Sequence, residues 1–173
     1  MPGMEGVMIF GIPLPVFTVV HVAISLIGIV SGLIVVLGML ASNRLVGWTG
    51  LFLFTTILTS VTGFIFPIHG FTPALGVGIV SMVILAVALL ALYVMRLAGA
   101  WRWIYVATAI TALWFNVFVL IVQSFQKLPF LKVLAPTQSE PPFLVAQGVV
   151  LVLLVVIGIA AVVKFRPGPQ ITA

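Results

Sequence analysis

Two side chains in this sequence, His21 and His69, could ligate a metal from within or beside an apolar stretch. Histidine is a common axial ligand of haem, so the pair raises haem b as a cofactor, with His21 and His69 on opposite faces of the iron. Their placement works against it. His69 follows Pro67 in a turn, whereas His21 lies roughly 7–8 Å below the apolar boundary at the rise of a helix, so the turn would have to dip into the interior. His21 or Asn116 could instead hydrogen-bond a quinone headgroup, a weaker demand on geometry that apolar surroundings permit. The remaining polar candidates for holding a small ligand are Thr59, Thr62, Gln123 and Gln147. Polar side chains inside a membrane usually face the protein interior and are commonly functional.

Much other chemistry is excluded as a positive assignment. Cysteine is absent, which removes disulfides, thiolate metal sites, iron–sulfur clusters and cysteine nucleophiles. The sequence has no HExxH motif, no phosphate-binding Gly-rich loop, no Gly-x-Ser-x-Gly elbow and no paired acids. Hydrolysis by His, Asn, Ser or Thr alone, without a metal or an oriented base, is uncommon. No catalytic residue is assigned, and the reading leans away from an enzyme.

The elements that must position these residues are five long apolar stretches, at about 16–40, 46–66, 74–95, 103–122 and 143–163, none interrupted by proline or charge. About 20 helical residues cover the roughly 30 Å hydrocarbon core of a bilayer. A backbone in lipid must pair its own N–H and C=O groups, which a helix does within one segment. Charged residues make up 5% of the chain and hydrophobic ones 64%, far from the balance of a soluble domain. The fold expected is therefore an all-α integral membrane protein, with residues 1–173 forming one membrane domain. The first stretch is read as a retained helix, since the residues before it carry Glu5 and no basic n-region. Short connections make consecutive helices antiparallel neighbours, so spans one to four should form an up-down four-helix bundle with the fifth helix packed against it.

The net charge of +5 encodes orientation rather than a nucleic-acid surface, because no loop is long enough to build a basic face. With alternating helices, Arg44, Arg96, Arg102, Lys164 and Arg166 share one side, while Lys127, Lys132, Glu5 and Glu140 share the other. The positive-inside rule puts the N-terminus outside and the C-terminus in the cytoplasm, as expected in a plasma membrane. Trp48, Tyr93, Trp101, Trp103 and Tyr105 fall at the inner boundary, where amphipathic rings favour the headgroup level. Of the eleven prolines, only Pro167 and Pro169 lie on the inner side. The rest frame the outer face, where helix ends tolerate them. The outer loop, 123–142, is expected to contain a short interfacial helix with Pro129 in its first turn, then an extended segment over 135–142.

Within the spans, small and polar residues fall in stripes: His21, Ser25, Gly28 and Gly32 on the first, Ala74, Gly78, Ser81 and Ala88 on the third. Ala109, Ala112, Asn116 and Gln123 follow on the fourth, and Gln147, Gly158 and Ala161 on the fifth. Such stripes let helices approach closely and bond across one another. The second span carries Thr49, Thr55, Thr56, Thr59, Ser60 and Thr62, most simply bonded to carbonyls one turn back, with a wetted cavity surface as the minority reading. His21, Thr62, Ser81, Asn116 and Gln147 share a depth of about 6–10 Å below the outer boundary. The expected role is that of an accessory subunit binding a larger membrane-complex partner, or of a binder of a small hydrophobic ligand on the outer-leaflet side. A redox protein holding haem b or quinone comes second. A small-solute transporter comes third, since intramembrane charges and broken helices are both missing.

Overall fold

A chain this poor in charge leaves its backbone little choice but to pair with itself, and it does so in helices. The computed structural model describes residues 7–67, 70 and 73–168. In chain order its elements are β1 (Met8–Ile9), β2 (Ile12–Pro13), α1 (Leu14–Leu40), α2 (Val46–Ile65), α3 (Pro73–Leu89), α4 (Trp101–Lys127), α5 (Pro129–Leu134) and α6 (Pro141–Lys164). Five helices are long and apolar enough to cross a membrane: α1, α2, α3 with its continuation to Val94, α4 and α6. The fold is all-α in its bulk, as the composition requires.

The helix ends depart from the hydropathy boundaries in instructive ways. Helix α1 begins at Leu14, with Pro13 as N-cap and Pro15 in the first turn, where a missing N–H costs nothing. Helix α6 likewise begins on Pro141 and Pro142, after Glu140. Helix α4 runs on to Lys127, past the expected limit at Val122, and stops where Leu128 turns extended (φ −86°, ψ 117°) ahead of Pro129. Loss of apolarity marks where lipid ends, while only the proline ends the helix. Gln123 consequently sits on α4 and not in the loop. Helix α5 has Pro129 in its first turn, as the sequence predicts.

One element was not legible beforehand. Strands β1 and β2 form a minimal antiparallel hairpin pairing Met8 with Pro13 and Ile9 with Ile12. Its two-residue turn, Phe10 (φ 53°) and Gly11 (φ 77°), is left-handed at both positions, the geometry that matches strand twist. Ile9 then packs with Leu14 and Phe17 against Val7, Ile65 and Phe66, tying the hairpin to the end of the bundle where α1 begins and α2 stops, the outer end by the sequence-based expectation, as the end at the α1–α2 turn is the inner.

Helix α1 packs against α2 and α4, α2 against α3, and α3 against α4, so these four close a ring; α6 lies mainly on α4 and touches α1. Glycines set the tightest approaches. A Cβ on Gly32 would stand 2.8 Å from both Leu113 Cδ1 and Phe52 Cε2, and one on Gly78 would stand 2.7 Å from Phe64 Cε1. The inner half is filled by a continuous apolar core that includes Val35, Met39, Phe52, Leu53, Leu113 and Tyr105. Tyr105 is 2% exposed, packed beside Phe165 with ring centroids 6.1 Å apart, so it plugs the core instead of joining the boundary aromatics Trp48, Tyr93 and Trp103, which are exposed.

At the inner end the α3 helix widens. Leu90–Val94 form a π-turn in which Met95 N–H reaches back to Leu90 O at 2.9 Å, and the chain reverses through left-handed Arg96 and Leu97. Arg102 Nη1 donates to Phe165 O and, at 3.4 Å, to Val162 O, capping orphan carbonyls at the end of α6. Arg166 N–H donates to Ser42 Oγ at 2.9 Å, joining that end to the α1–α2 turn.

Candidate ligand-binding site

The outer half of the ring does not fill. Between α1, α2, α3 and α4 lies a cavity of about 500 Å³, within the range that takes a small molecule. Below it, α1 closes on its neighbours: a Cβ on Gly28 would stand 3.2 Å from Thr55 Oγ1 and 3.5 Å from Asn116 Nδ2.

Each helix contributes polar groups to the wall, and their hydrogen bonds can be accounted for one at a time. His21 Nδ1 lies 2.7 Å from Thr62 Oγ1. The Thr62 hydroxyl also lies 2.7 Å from Leu58 O, and which partner supplies the proton of the His21 contact follows from the ring's tautomer. In the neutral imidazole one ring nitrogen donates and the other accepts. The ring is held from its other side by an edge contact to Phe66, centroids 5.1 Å apart. Ser25 Oγ donates to His21 O at 2.7 Å and also stands 3.3 Å from Thr59 Oγ1. Asn116 Nδ2 donates to Thr56 Oγ1 at 3.0 Å.

Thr18 and Ser60 spend their hydroxyl protons on carbonyls one turn back, Leu14 O at 2.8 Å and Thr56 O at 3.1 Å. Three cavity groups remain with unused capacity beside His21. Ser81 is 5% exposed and its hydroxyl, unlike most serines in apolar helices, makes no back-bond. Asn116 has its carbonyl oxygen to spare after the bond to Thr56, and the Gln123 amide lines the cavity with no bond to another described residue. Lys127 stands at the mouth, roughly 16 Å along α4 from Asn116. The walls between are apolar. Val22, Leu26, Leu120 and Leu128 border the cavity and are 37–43% exposed.

Of the residues singled out from sequence, His21, Thr59, Asn116 and Gln123 line this one cavity, and Thr62 lies behind His21 as its hydrogen-bond partner. Gln147 is elsewhere. It sits on α6, donates through Nε2 to Phe118 O at 3.2 Å, and leaves its buried Oε1 without a partner. His69 falls outside the described residues, so the haem arrangement that needs both histidines has only His21 with a described environment. Among the described residues no three His, Asp or Glu side chains gather as a metal site would require. The hydroxyls of α2 divide as chemistry predicts. Thr55, Thr62 and Ser60 bond carbonyls on their own helix, while Thr56 and Thr59 receive bonds from α4 and α1.

Sequence reasoning gave Ser81 and Lys127 no ligand-binding role, although both border the cavity. Ser81 shares the depth of His21 and Asn116, and that shared depth was the available signal. Comparison with protein-family models, with curated proteins and with solved structures yields no match for this chain.

Proposed function

We propose that this protein is a non-enzymatic membrane protein that takes a small hydrophobic ligand into the outer-half cavity, entering sideways from the surrounding lipid. The observation that carries this reading is a cavity of ligand size whose floor keeps hydrogen-bonding groups unspent and whose rim is apolar. The exposed Val22, Leu26, Leu120 and Leu128 side chains suit an opening between α1 and α4 that faces acyl chains rather than water.

The orientation that accompanies this reading places the cavity in the outer leaflet. Arg44, Arg96, Arg102, Lys164 and Arg166 gather at the opposite end from Lys127, Lys132 and Glu140, which the positive-inside rule assigns to the cytoplasm. The test is purification in mild detergent with mass spectrometry of what remains bound. A lipid-like adduct should accompany the wild-type protein and be lost from Val119→Trp, which projects an indole from the cavity wall. Adduct retention in that variant, with folding intact, would remove the proposal.

A second reading, an accessory subunit of a larger membrane complex, is favoured by α6. Little of this helix is buried inside the chain, and Val145, Val149, Val152, Val156, Ile159 and Val163 present a bare apolar face. Lipid satisfies such a face as well as a partner helix does. Cross-linking from α6 in native membranes separates the two, since a partner gives one discrete heavier species and lipid gives none.

A further inference from the structure

The end of the bundle opposite the cavity carries cations that the fold gathers and leaves unpaired. We propose that Arg44, Lys164 and Arg166 form a binding site for the headgroup of an anionic phospholipid in the leaflet at that end, whatever the cavity holds. The three come from distant segments: Arg44 lies in the turn between α1 and α2, and Lys164 and Arg166 flank Phe165 where α6 stops. Arg166 N–H donates to Ser42 Oγ at 2.9 Å across 124 positions of sequence, which fixes the end of α6 beside that turn. Phe165 is buried, and with Arg44, Thr49 and Tyr105 it borders a recess of about 20 Å³, space for a single water-sized group. The positive-inside rule accounts for cations on this side of the membrane, but it does not require two separate segments to converge.

Nothing in the described chain answers this charge. The sequence holds two acids, Glu5 before α1 and Glu140 at the start of α6, whereas these cations follow the far ends of the same two helices. Glu140 stands roughly 36 Å along α6 from Lys164. The neighbouring Arg102 is already spent on Phe165 O and Val162 O. Arg44 accepts through its carbonyl from Thr49 Oγ1 at 2.7 Å, while its half-buried guanidinium donates to no described residue. A guanidinium presents its donors in a fork that matches phosphate oxygens. The first turn of α2, directly after Arg44, has neither a side-chain cap nor an acid, so its free N–H groups add to the same potential. The flanking surface makes the anion a lipid. Val46 at the recess and Val163 beside Lys164 are both exposed at the ends of membrane-spanning helices, and Ile159 continues the apolar face one turn back along α6. A phosphate held by the cations leaves its acyl chains against that face, the arrangement by which basic clusters at helix ends take anionic headgroups.

The purified protein in detergent is titrated with dioleoylphosphatidylglycerol and, separately, with dioleoylphosphatidylcholine, and bound lipid is counted by native mass spectrometry. The two lipids share their acyl chains and differ in net charge, and the anionic one should bind about tenfold tighter or more. Arg44→Gln, Lys164→Gln and Arg166→Gln should each weaken it about fivefold, the worth of one cation near a headgroup. None of the three side chains bonds a described residue, so thermal unfolding of the lipid-free variants should match wild type. If Arg44→Gln nevertheless fails to fold, the other two variants carry the test. Lys132→Gln removes the same charge from the opposite end and should leave the affinity unchanged. A loss there equal to that in Lys164→Gln would mean that net charge alone attracts the lipid, and would overturn the site. Displacement of the lipid by an equal concentration of glycerol phosphate would assign the cations to a soluble phosphate and overturn the lipid assignment. Equal binding of the two lipids, or an affinity unmoved by the three substitutions, overturns the proposal outright.

Discussion

A single imidazole bonded to a single threonine carries much of the polar organisation of the outer half. The His21–Thr62 contact joins α1 to α2 across 41 positions of sequence, and it holds the ring at the cavity wall. Interhelical hydrogen bonds of this kind average about 0.6 kcal/mol in membranes, because the partners find alternatives when separated. A double-mutant cycle of His21→Ala and Thr62→Val, read by unfolding in detergent, should therefore return a coupling of about that size. A coupling of zero would mean the ring is not held there. Glycine gives a sharper test. A Cβ on Gly38 would sit 2.6 Å from Leu45 Cδ1 and 2.9 Å from the Asn43 backbone carbonyl, so Gly38→Ala should destabilise by about 1–3 kcal/mol. Gly47, with open space around it and a place in the first turn of α2, should accept alanine without loss, so equal behaviour of the two variants would contradict the packing described.

His21, Asn116 and Gln123 were legible in sequence because amides and imidazoles are conspicuous in an apolar run. Serines are not, being common and usually self-satisfied, so Ser81 was noticed only for its depth. That Gln147 shares this depth yet faces α4 from outside the ring could not be read at all. Depth is set by position along one helix, whereas the direction a side chain faces depends on which neighbour the helix meets.

Among the elements, the outer connection is the most informative beyond the spans. Residues Thr137–Glu140 fold around the Glu140 carboxylate, which accepts from Thr137 N–H at 3.1 Å, Thr137 Oγ1 at 2.8 Å and Ser139 N–H at 3.1 Å. Desolvation pushes this carboxyl up, but the bonds from the Thr137 side chain and from backbone N–H groups outweigh it and hold it below its ordinary value of 4.5. A depressed carboxyl contributes order that is present above its ordinary value and lost as pH falls through the lowered one. Amide exchange at Thr137 and Ser139, corrected for intrinsic rates, should thus stay protected down to about pH 4.5 and rise below it, whereas Glu140→Gln should lose protection at neutral pH. At the inner end, Arg102 offers the carbonyls of α6 a charged donor in a half-exposed setting, so Arg102→Gln should cost about 1 kcal/mol. Helix existence was plain from apolar runs of about 20 residues. The far end of α4 was not, because that helix continues past its apolar limit to the turn before Pro129, and a hairpin of two-residue strands leaves no periodicity to find.

For the whole molecule, the reading requires the two termini on opposite sides of the membrane and the cavity toward the non-cytoplasmic one. Reporter fusions should find the C-terminus in the cytoplasm and the N-terminus outside. A shared compartment would overturn the orientation and move the cavity to the other leaflet or cancel a span. Ring closure among α1 to α4 concentrates the buried apolar core in the inner half, where Met39, Phe52 and Leu113 are almost fully enclosed. The outer half gives up that packing, and the loss should make it the first part to open. Hydrogen exchange should show the outer turns of α1 and α3 less protected than the inner turns of α1 and α4, and a bound ligand should narrow the difference.

The tight seam where Gly28 and Gly32 bring α1 onto α2 and α4 has a consequence for traffic. On the proposed reading that seam floors the cavity and makes it a cul-de-sac with its door on one side. A ligand taken up sideways would back out by the route it came, and the protein would then detain its cargo, or hand it to a neighbour in the same leaflet, without carrying it across.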